Sequence, residues 1–404
     1  MALVLHGCGP QGPAENLETP EPGAASPAYQ SQYRVPPTRN EASNFLISPQ
    51  LNAEPCRPFL GGDPGKGGGS APVALQNEIL SRGDLIEIHV EGDRPTLEAA
   101  GVFSGDYVVS RDGDIRLPFV GDFRAEGRSP NALASEISQS LAAREFYIDP
   151  PRVTVILSGL AVARVTVGGA VFEPQPLQLG DPGSGPVDER RQQARGASTE
   201  ARNLTAALRQ AGGVRPDADL SAVELRRAGR VYRLDLRPVL KGQSFQDIML
   251  VSGDEVTVHS RLCFQDDLMV PSPISPPGIN LFLSNLIEPT RGNAPAAIGR
   301  EARQVPYGTR LMQGGVTTNC VGGVRATNAN RAVALFSRNP ITDVSFVVER
   351  EVEDMRVRKD RDDYDPYLLP GDAMACYDSA VTALSDAARV LGLVGGAIFL
   401  AGAN

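Results

Sequence analysis

One phrase of sequence occurs three times in this chain, and each copy is centred on a Gly-Asp pair. The copies read LSRGDLIEIHV at 80–90, LVSGDEVTVH at 250–259 and LLPGDAMACYD at 368–378. Two apolar slots recur when the pairs are aligned: Ile86, Val256 and Met374, then Ile88, Val258 and Cys376. The residues between these slots, Glu87, Thr257 and Ala375, fall on the opposite face, because side chains alternate along a strand. Each copy therefore predicts a turn that leads into one half-buried strand.

Length and composition bound the architecture. A chain of 404 residues is expected to form roughly two to four domains. Glycine (42) and proline (33) are abundant and tryptophan is absent, which favours many short strands and turns. The net charge of -9 leaves no basic surface of the kind that a phosphate backbone demands, so nucleic acid is excluded as a partner. The predicted fold class is α+β, rich in β-structure.

The first residues resemble the lipobox of a bacterial lipoprotein. A short apolar run ends in Leu5-His6-Gly7-Cys8, and Cys8 is the predicted lipidation site. The run is shorter than the roughly 7 to 15 apolar residues of a secretory signal and follows no charged segment, so we expect the natural start to lie upstream of Met1. Gly9 is compatible with sorting to the outer membrane. The alternative is an incidental cysteine in a disordered terminus.

The first predicted region, 1–72, consists of this lipobox and a tether. The tether is rich in Pro, Gly, Ser and Asn and ends in GGDPGKGGGS, a composition that cannot bury enough apolar surface to order itself. Residues 73–162 predict a small domain of strands around one helix. Ser129 is the expected N-cap of that helix and Pro130 its first residue. Its core-facing stripe contains Leu133, Ile137 and Leu141.

Residues 163–261 and 262–378 predict two repeats of one further unit. Each contains a helical phrase, LRQAGGV at 208–214 and RLMQGGV at 310–316, and each closes on a Gly-Asp phrase after alternating strands. In the first repeat, Gly212-Gly213 is the expected left-handed end of the helix. A hairpin turn is expected at Ala228-Gly229.

Together these segments resemble the Wza-type outer-membrane polysaccharide biosynthesis/export lipoproteins. The resemblance rests on the order of the modules and on four phrases of the first domain: GDLIEIHV, GDYVVSRDGDIRLPFVGDFRAEG, FYIDPPRVTVIL and VTVGGAVFEP. It covers residues 75–378 approximately and implies a polysaccharide export domain followed by two β-grasp modules of the soluble-ligand-binding (SLBB) kind.

The resemblance also implies a function and partners. The expected assembly is a homo-oligomeric ring, such as an octamer, that encloses a lumen and exports capsular or exopolysaccharide. An inner-membrane polysaccharide co-polymerase would hand the polymer to the first domain, between Leu75 and Val155. The protein would lie in the outer membrane, anchored by lipid, with the bulk of the chain in the periplasm. The alternatives are a periplasmic β-grasp protein that binds sugar and a surface-anchored structural protein.

The sequence shows no catalytic or metal-binding constellation. Its histidines are His6, His89 and His259, and the last two share one slot of the repeated phrase. The acidic run Asp360, Asp362, Asp363 and Asp365 lacks the glycine and glutamate of a calcium loop, which favours a solvated loop. We therefore predict a protein that is not an enzyme and needs no metal or cofactor.

Four of the five cysteines follow Cys8, and in an oxidising compartment they allow three full pairings. We predict a disulfide between Cys320 and Cys376, because both lie in the second repeat and Cys376 occupies a core slot of its last strand. The alternative is a pair of buried free thiols.

The final segment, 379–404, predicts an amphipathic transmembrane helix, whose length of roughly 39 Å is enough to cross a hydrocarbon core. Its predicted pore-facing residues are polar or small: Thr382, Asp386, Arg389 and Gly396. Its predicted lipid-facing residues are Val381, Leu384, Leu391 and Ile398. The resemblance implies that such helices form an α-helical barrel through the outer membrane. The alternative is a helix docked on its own periplasmic ring.

Overall fold

The structure is a computed structural model that describes residues 56–63, 75, 77–93, 102–180, 198–285, 303–317, 332–341, 343, 345–352, 355 and 365–377. The chain divides into two compact units. One consists of Pro58–Arg261 and Ser272–Ser275. The other consists of Met1–Arg57, Leu262–Pro271 and Pro276–Asn404.

The first domain is built from β1 (Leu85–Val90), β2 (Gly105–Val108), β3 (Asp114–Leu117), β4 (Gly121–Arg124), α1 (Pro130–Ala143) and β5 (Val153–Gly159). β1 is the central strand of a three-stranded antiparallel sheet of order β2-β1-β5. β3 and β4 form a separate antiparallel hairpin. The two strands that flank the Asp112-Gly113 turn, β2 and β3, therefore belong to different sheets, because β3 pairs with the strand that follows it.

The helix α1 begins and packs as the sequence predicts. The Ser129 hydroxyl accepts a hydrogen bond from the Ala132 N–H at 3.2 Å, and Pro130 is the first helical residue. Leu133, Ile137 and Leu141 are fully buried. Since burying one such side chain contributes roughly 1.5 to 3 kcal/mol, this stripe holds the helix in the core of the first domain.

The next sheet along the chain, called here the first five-stranded sheet, belongs to a segment that contains β6 (Ala163–Gly169), β7 (Gln175–Leu179), α2 (Leu204–Gln210), β8 (Ala218–Arg227), β9 (Arg230–Leu234), α3 (Arg237–Leu240) and β10 (Glu255–Ser260). Its five strands have the order β7-β6-β10-β8-β9. The central strand β10 is parallel to β6 and antiparallel to β8. The β8–β9 hairpin turns at Ala228 and Gly229, both with positive φ, as predicted.

The second five-stranded sheet is formed by β11 (Ile279–Asn285), β12 (Arg303–Val305), β13 (Ala332–Arg338), β14 (Ser345–Glu351) and β15 (Ala373–Tyr377), with the helix α4 (Leu311–Thr317) between β12 and β13. Its order is β12-β11-β15-β13-β14. The central strand β15 is parallel to β11 and antiparallel to β13. The two five-stranded sheets therefore share strand order and the orientation of their central pairs.

These elements confirm the α+β class with a predominance of β-structure. The predicted C-terminal helix, 379–404, lies outside the described residues. Within the part of the chain that the structure describes, none of the helices has the length and apolar character needed to span a membrane.

Candidate functional site

The three Gly-Asp pairs form the same turn. Gly83, Gly253 and Gly371 have φ values of 84°, 91° and 90°, a left-handed conformation that glycine adopts without strain. In each turn the aspartate N–H donates to the carbonyl oxygen three residues earlier, at 3.1 Å. The Oδ2 atom of the aspartate accepts the N–H of that same earlier residue, at 2.7, 2.9 and 2.8 Å in chain order. This reciprocal pair fixes the direction in which each strand starts.

The predicted apolar slots after these turns face the core. Ile86, Val256 and Met374 are buried, as are Ile88 and Val258. The third copy departs from the predicted alternation at Ala375, which is also buried.

The aspartates of the first two turns are neutralised by arginines, of which Arg202 is fully buried and Arg227 is partly buried. Asp84 Oδ1 lies 2.8 Å from Arg202 Nη1, and both side chains are fully buried. Burial raises the pKa of Asp84, while the Arg202 charge opposes that shift. Asp254 forms a bidentate ion pair with Arg227, at 2.9 Å from Nε to Oδ1 and 2.6 Å from Nη2 to Oδ2. Such planar pairs recognise a carboxylate by geometry as well as by charge.

Arg202 also connects the first domain to the segment that contains the first five-stranded sheet. Its backbone carbonyl accepts the Leu250 N–H at 2.7 Å, and its Nε donates to the Leu250 carbonyl at 3.2 Å. The adjacent Met249 packs in the same core cluster as the first domain. The first domain and the segment that contains the first five-stranded sheet are therefore joined by a buried ion pair, and Met249 of that segment packs in the core of the first domain, within one compact unit.

Residues 58–63, the N-terminal strap, dock on the first five-stranded sheet. The Arg261 guanidinium carbon lies 3.6 Å from the centre of the Phe59 ring. The Leu60 N–H donates to Asp219 Oδ2 at 2.8 Å. The predicted tether therefore includes a docked segment, because partners on a distant sheet supply the contacts that its own composition lacks.

Two glycines allow the strap to approach the sheet. The Gly61 N–H donates to Ser221 Oγ at 2.9 Å, and the Gly62 carbonyl accepts a hydrogen bond from Arg237 Nη1 at 2.8 Å. At Gly61 the backbone of the strap lies so close to β8 that no side chain fits between them.

Changing Gly61 to alanine is therefore expected to detach the strap. The added Cβ would lie 2.2 Å from the Ser221 carbonyl oxygen, and this backbone atom cannot move aside as the end of a side chain can. We expect the free energy of unfolding to fall by about 1 to 3 kcal/mol. The Leu60 and Gly61 amides should exchange faster with deuterium.

The matched control is Gly168→Ala in β6, where an added Cβ meets nothing within 4 Å. It should leave exchange in the strap unchanged. Equal exchange of the Leu60 amide in the wild type and in Gly61→Ala would contradict the docking of the strap.

A disulfide joins Cys56 to Cys263 across a sequence separation of 207, within one compact unit. This pair is not the one that the sequence suggested, Cys320 with Cys376. Cys320 lies outside the described residues, and only the backbone of Cys376, in β15, is described. The two pairs share no cysteine, so the second remains a compatible prediction.

The first domain exposes large apolar side chains at two loops. Phe119, in the turn between β3 and β4, is 79% exposed and has a φ of 61°. Ile148, between α1 and β5, is fully exposed. A bulky residue with positive φ costs roughly 1 to 2 kcal/mol, so Phe119 is retained at some expense to stability.

Most of the predicted site residues lie outside the described residues and stay predictions. They are Cys8, the pore-facing Thr382, Asp386, Arg389 and Gly396, and the lipid-facing Val381, Leu384, Leu391 and Ile398.

The histidines of the repeated phrase lie apart on strand faces. His89 is exposed on β1, and His259 on β10 lies 3.4 Å from Glu224. Asp365, predicted to be solvated, is buried instead and accepts the Met312 N–H at 2.8 Å. The other members of that acidic run lie outside the described residues. Among the described side chains, no three of His, Cys, Asp or Glu cluster as a metal site would require.

Sequence reasoning missed the two arginines that neutralise the turns. Arg202 is 118 residues from Asp84, and no local signal connects them. Arg227 is 27 residues from Asp254 and ends the strand β8, which pairs with β10. Pairing β8 with the strand of the Gly-Asp phrase in the sequence would have placed Arg227 beside Asp254.

Comparison with known families matches two segments. Residues 73–158 match the polysaccharide biosynthesis/export protein family, and this range spans the first domain from β1 almost to the end of β5. Residues 184–258 match the SLBB domain, and this range contains α2, β8, β9 and most of β10.

Two relatives resemble the chain over part of their length. The EPS I polysaccharide export outer membrane protein EpsA of Ralstonia nicotianae is 26% identical over 249 residues, which is 60% of this chain and 57% of the relative. The protein of the same name from Ralstonia solanacearum is 27% identical over 215 residues, 52% of this chain and 51% of the relative. The chain therefore spans about half the length of these curated relatives.

Proposed function

We propose, from the membership of this chain in the Wza-type polysaccharide export proteins, that it is a subunit of a ring-shaped outer-membrane translocon. The translocon exports capsular or exopolysaccharide from the periplasm to the cell surface. The observation that carries the proposal is the export-family match over 73–158, which coincides with the first domain. Moving a polymer through a lumen needs no covalent chemistry, so the protein is not an enzyme.

The two five-stranded sheets support a modular assembly. Only the first falls within the SLBB match, but the second has the same strand order and the same parallel central pair. We assign it as a second SLBB-type β-grasp module. Copies of such a chain around one axis form a homo-oligomeric ring, which encloses a lumen for the polysaccharide.

The ring is attached to the outer membrane in two ways. Lipid on Cys8 anchors each subunit, and many weak anchors in one ring give firm attachment. The helix at 379–404 crosses the membrane beside its neighbours, with Asp386 and Arg389 toward the pore, because ionisable residues within a membrane face a water-filled cavity.

The first domain receives the polymer from an inner-membrane polysaccharide co-polymerase. Phe119 supports this contact, because its left-handed backbone and exposed ring are unfavourable unless a partner covers the ring, and Ile148 is a second exposed apolar side chain of the same domain. Changing both residues to serine should reduce export without unfolding the domain, because neither side chain is in the core. Val231→Ser, at an exposed valine on β9, is the matched control.

The proposal is tested by deleting the gene and measuring secreted polysaccharide, with the full-length natural gene as the rescue. Deletion should abolish secretion. Truncation before Ser379 should leave an assembled ring that exports nothing, and Cys8→Ser should lose labelling by fatty acid. Unchanged secretion after deletion would refute the export function, and elution of the purified protein as a monomer would refute the ring.

A further inference from the structure

In the second Gly-Asp turn, the register of the paired strands places an arginine beside the aspartate. Glu255, the residue after the turn, pairs with Arg226 on β8. The next residue of β8, Arg227, therefore lies beside Asp254 and forms the bidentate ion pair with it.

The third turn has the same register but a different residue at that position. Ala373, the residue after the turn, pairs with Phe336 on β13. The next residue of β13 is Ser337, which therefore occupies the place of Arg227. A hydroxyl group has replaced the arginine that would neutralise Asp372.

Asp372 is nevertheless as deeply buried as the other two aspartates, with 2% of its surface exposed. Its Oδ2 accepts the Leu369 N–H at 2.8 Å. The Ser337 hydroxyl is buried and makes no hydrogen bond of good geometry with any described residue. Burial raises the pKa of Asp372 to about 7, against smaller opposing effects of Ser337 and the Leu369 N–H.

The described charged groups on the neighbouring elements have other partners. Arg338, next along β13, is exposed and lies 3.6 Å from Asp343. Arg310 donates to the Asp365 carbonyl at 2.9 Å, and Arg350 on β14 donates to a backbone carbonyl at 3.0 Å. Among the described residues, no charged group contributes to the pKa of Asp372.

We propose that Asp372 keeps its proton in the folded protein and acts as a pH-sensitive latch of the second five-stranded sheet. The neutral acid donates its O–H to Ser337 Oγ while it accepts the Leu369 N–H, so both buried polar groups are satisfied. Ionisation leaves a buried carboxylate that has only the Leu369 N–H and the Ser337 hydroxyl as partners and no cation among the described residues, which is strongly unfavourable. The turn then opens, and β15, the central strand that it starts, loses protection. This latch is independent of what the protein transports.

The sign of the pH dependence follows from the two pKa values. In an unfolded chain an aspartate has a pKa of about 3.9, whereas burial raises that of Asp372 to about 7. Between these values the folded chain binds more protons than the unfolded chain. The stabilisation is therefore complete below about pH 4 and is lost as the pH rises through about 7.

The test is hydrogen–deuterium exchange of the full-length protein between about pH 5 and pH 8, corrected for the intrinsic pH dependence of amide exchange. The opening constant of peptides over 368–377 should rise with pH, approaching tenfold per pH unit below about pH 7. The wild type contains its own control, because the peptide over 250–260 carries the equivalent turn with its arginine. That peptide should show no such rise.

Asp372→Asn is the sharpest variant, because the amide keeps the oxygen that accepts the Leu369 N–H and cannot ionise. Asp372→Asn should abolish the increase of the opening constant with pH in peptides over 368–377, whereas Asp254→Asn should leave that increase unchanged. If the 368–377 and 250–260 peptides of the wild type respond to pH alike, the latch does not exist, whether or not either variant folds. A rise that persists in Asp372→Asn would assign it to another group and overturn the proposal.

Discussion

Arg202→Met is expected to destabilise the unit that contains the first domain and the first five-stranded sheet by about 3 to 5 kcal/mol. The Arg202 and Asp84 side chains are fully buried and 2.8 Å apart, so removing the guanidinium leaves a carboxylate in the core with no cation. Its remaining partners, the N–H groups of Ser81 and Ala161, do not balance a full negative charge. Breaking one half of a buried pair is therefore more costly than losing both halves.

Urea unfolding followed by circular dichroism measures this loss. Arg116→Met is the matched control, because its ion pair with Asp122 is exposed at the surface and should contribute little. Adding Asp84→Asn to Arg202→Met should recover part of the stability, since no buried charge is then left unpaired.

Acid pH should also recover part of the loss. Burial already raises the pKa of Asp84 in the wild type, and without the opposing charge of Arg202 it rises further. The neutral acid is then favoured in the folded state, so the deficit of Arg202→Met narrows as the pH falls toward about 4. An Arg202→Met protein as stable as Arg116→Met would contradict the central role of this pair.

The turns themselves could be predicted because their determinants are local. A glycine at positive φ and an aspartate that bonds the N–H three residues earlier lie within four consecutive residues. The burial of Ile86, Val256 and Met374 then follows from alternation along the strand. For the same reason the Ser129 cap and the stripe of α1 were predictable from sequence.

The partners of those aspartates could not be predicted in the same way. Arg202 comes from a segment 118 residues beyond Asp84, and only the folded arrangement brings them together. The same limit applies to the N-terminal strap, where Gly61 is 160 residues from Ser221. Composition indicates how much apolar surface a segment can bury by itself. It does not reveal a surface elsewhere in the chain to which the segment binds.

The candidate site was predicted less completely than the fold. The expected lipidation site and membrane helix depend on Cys8 and on residues 379–404, which lie outside the described residues. Cysteine pairing is also a long-range property, since four cysteines allow three full pairings and sequence alone does not choose among them. The pair that the structure contains, Cys56 with Cys263, joins a residue of the predicted tether to one near the start of the second repeat.

Replacing Cys56 and Cys263 with alanine is expected to lower the free energy of unfolding by about 2 to 5 kcal/mol. The disulfide closes a sequence separation of 207, so its loss gives the unfolded chain many more conformations. Both single variants should lose as much as the double variant, because either change breaks the same bond. Denaturant unfolding with and without a thiol reductant measures the effect.

Reductant provides the decisive comparison. With both proteins in reductant, the wild type should match the Cys56→Ala/Cys263→Ala protein in stability, because neither then contains the Cys56–Cys263 bond. The variant also isolates the remaining prediction, because Cys320 and Cys376 are then the cysteines left after Cys8. If they pair, the folded double variant should show no free thiol at either residue until it is reduced. Full reactivity of both thiols before reduction would reject that second disulfide, whereas wild-type stability that reductant does not change would reject the first.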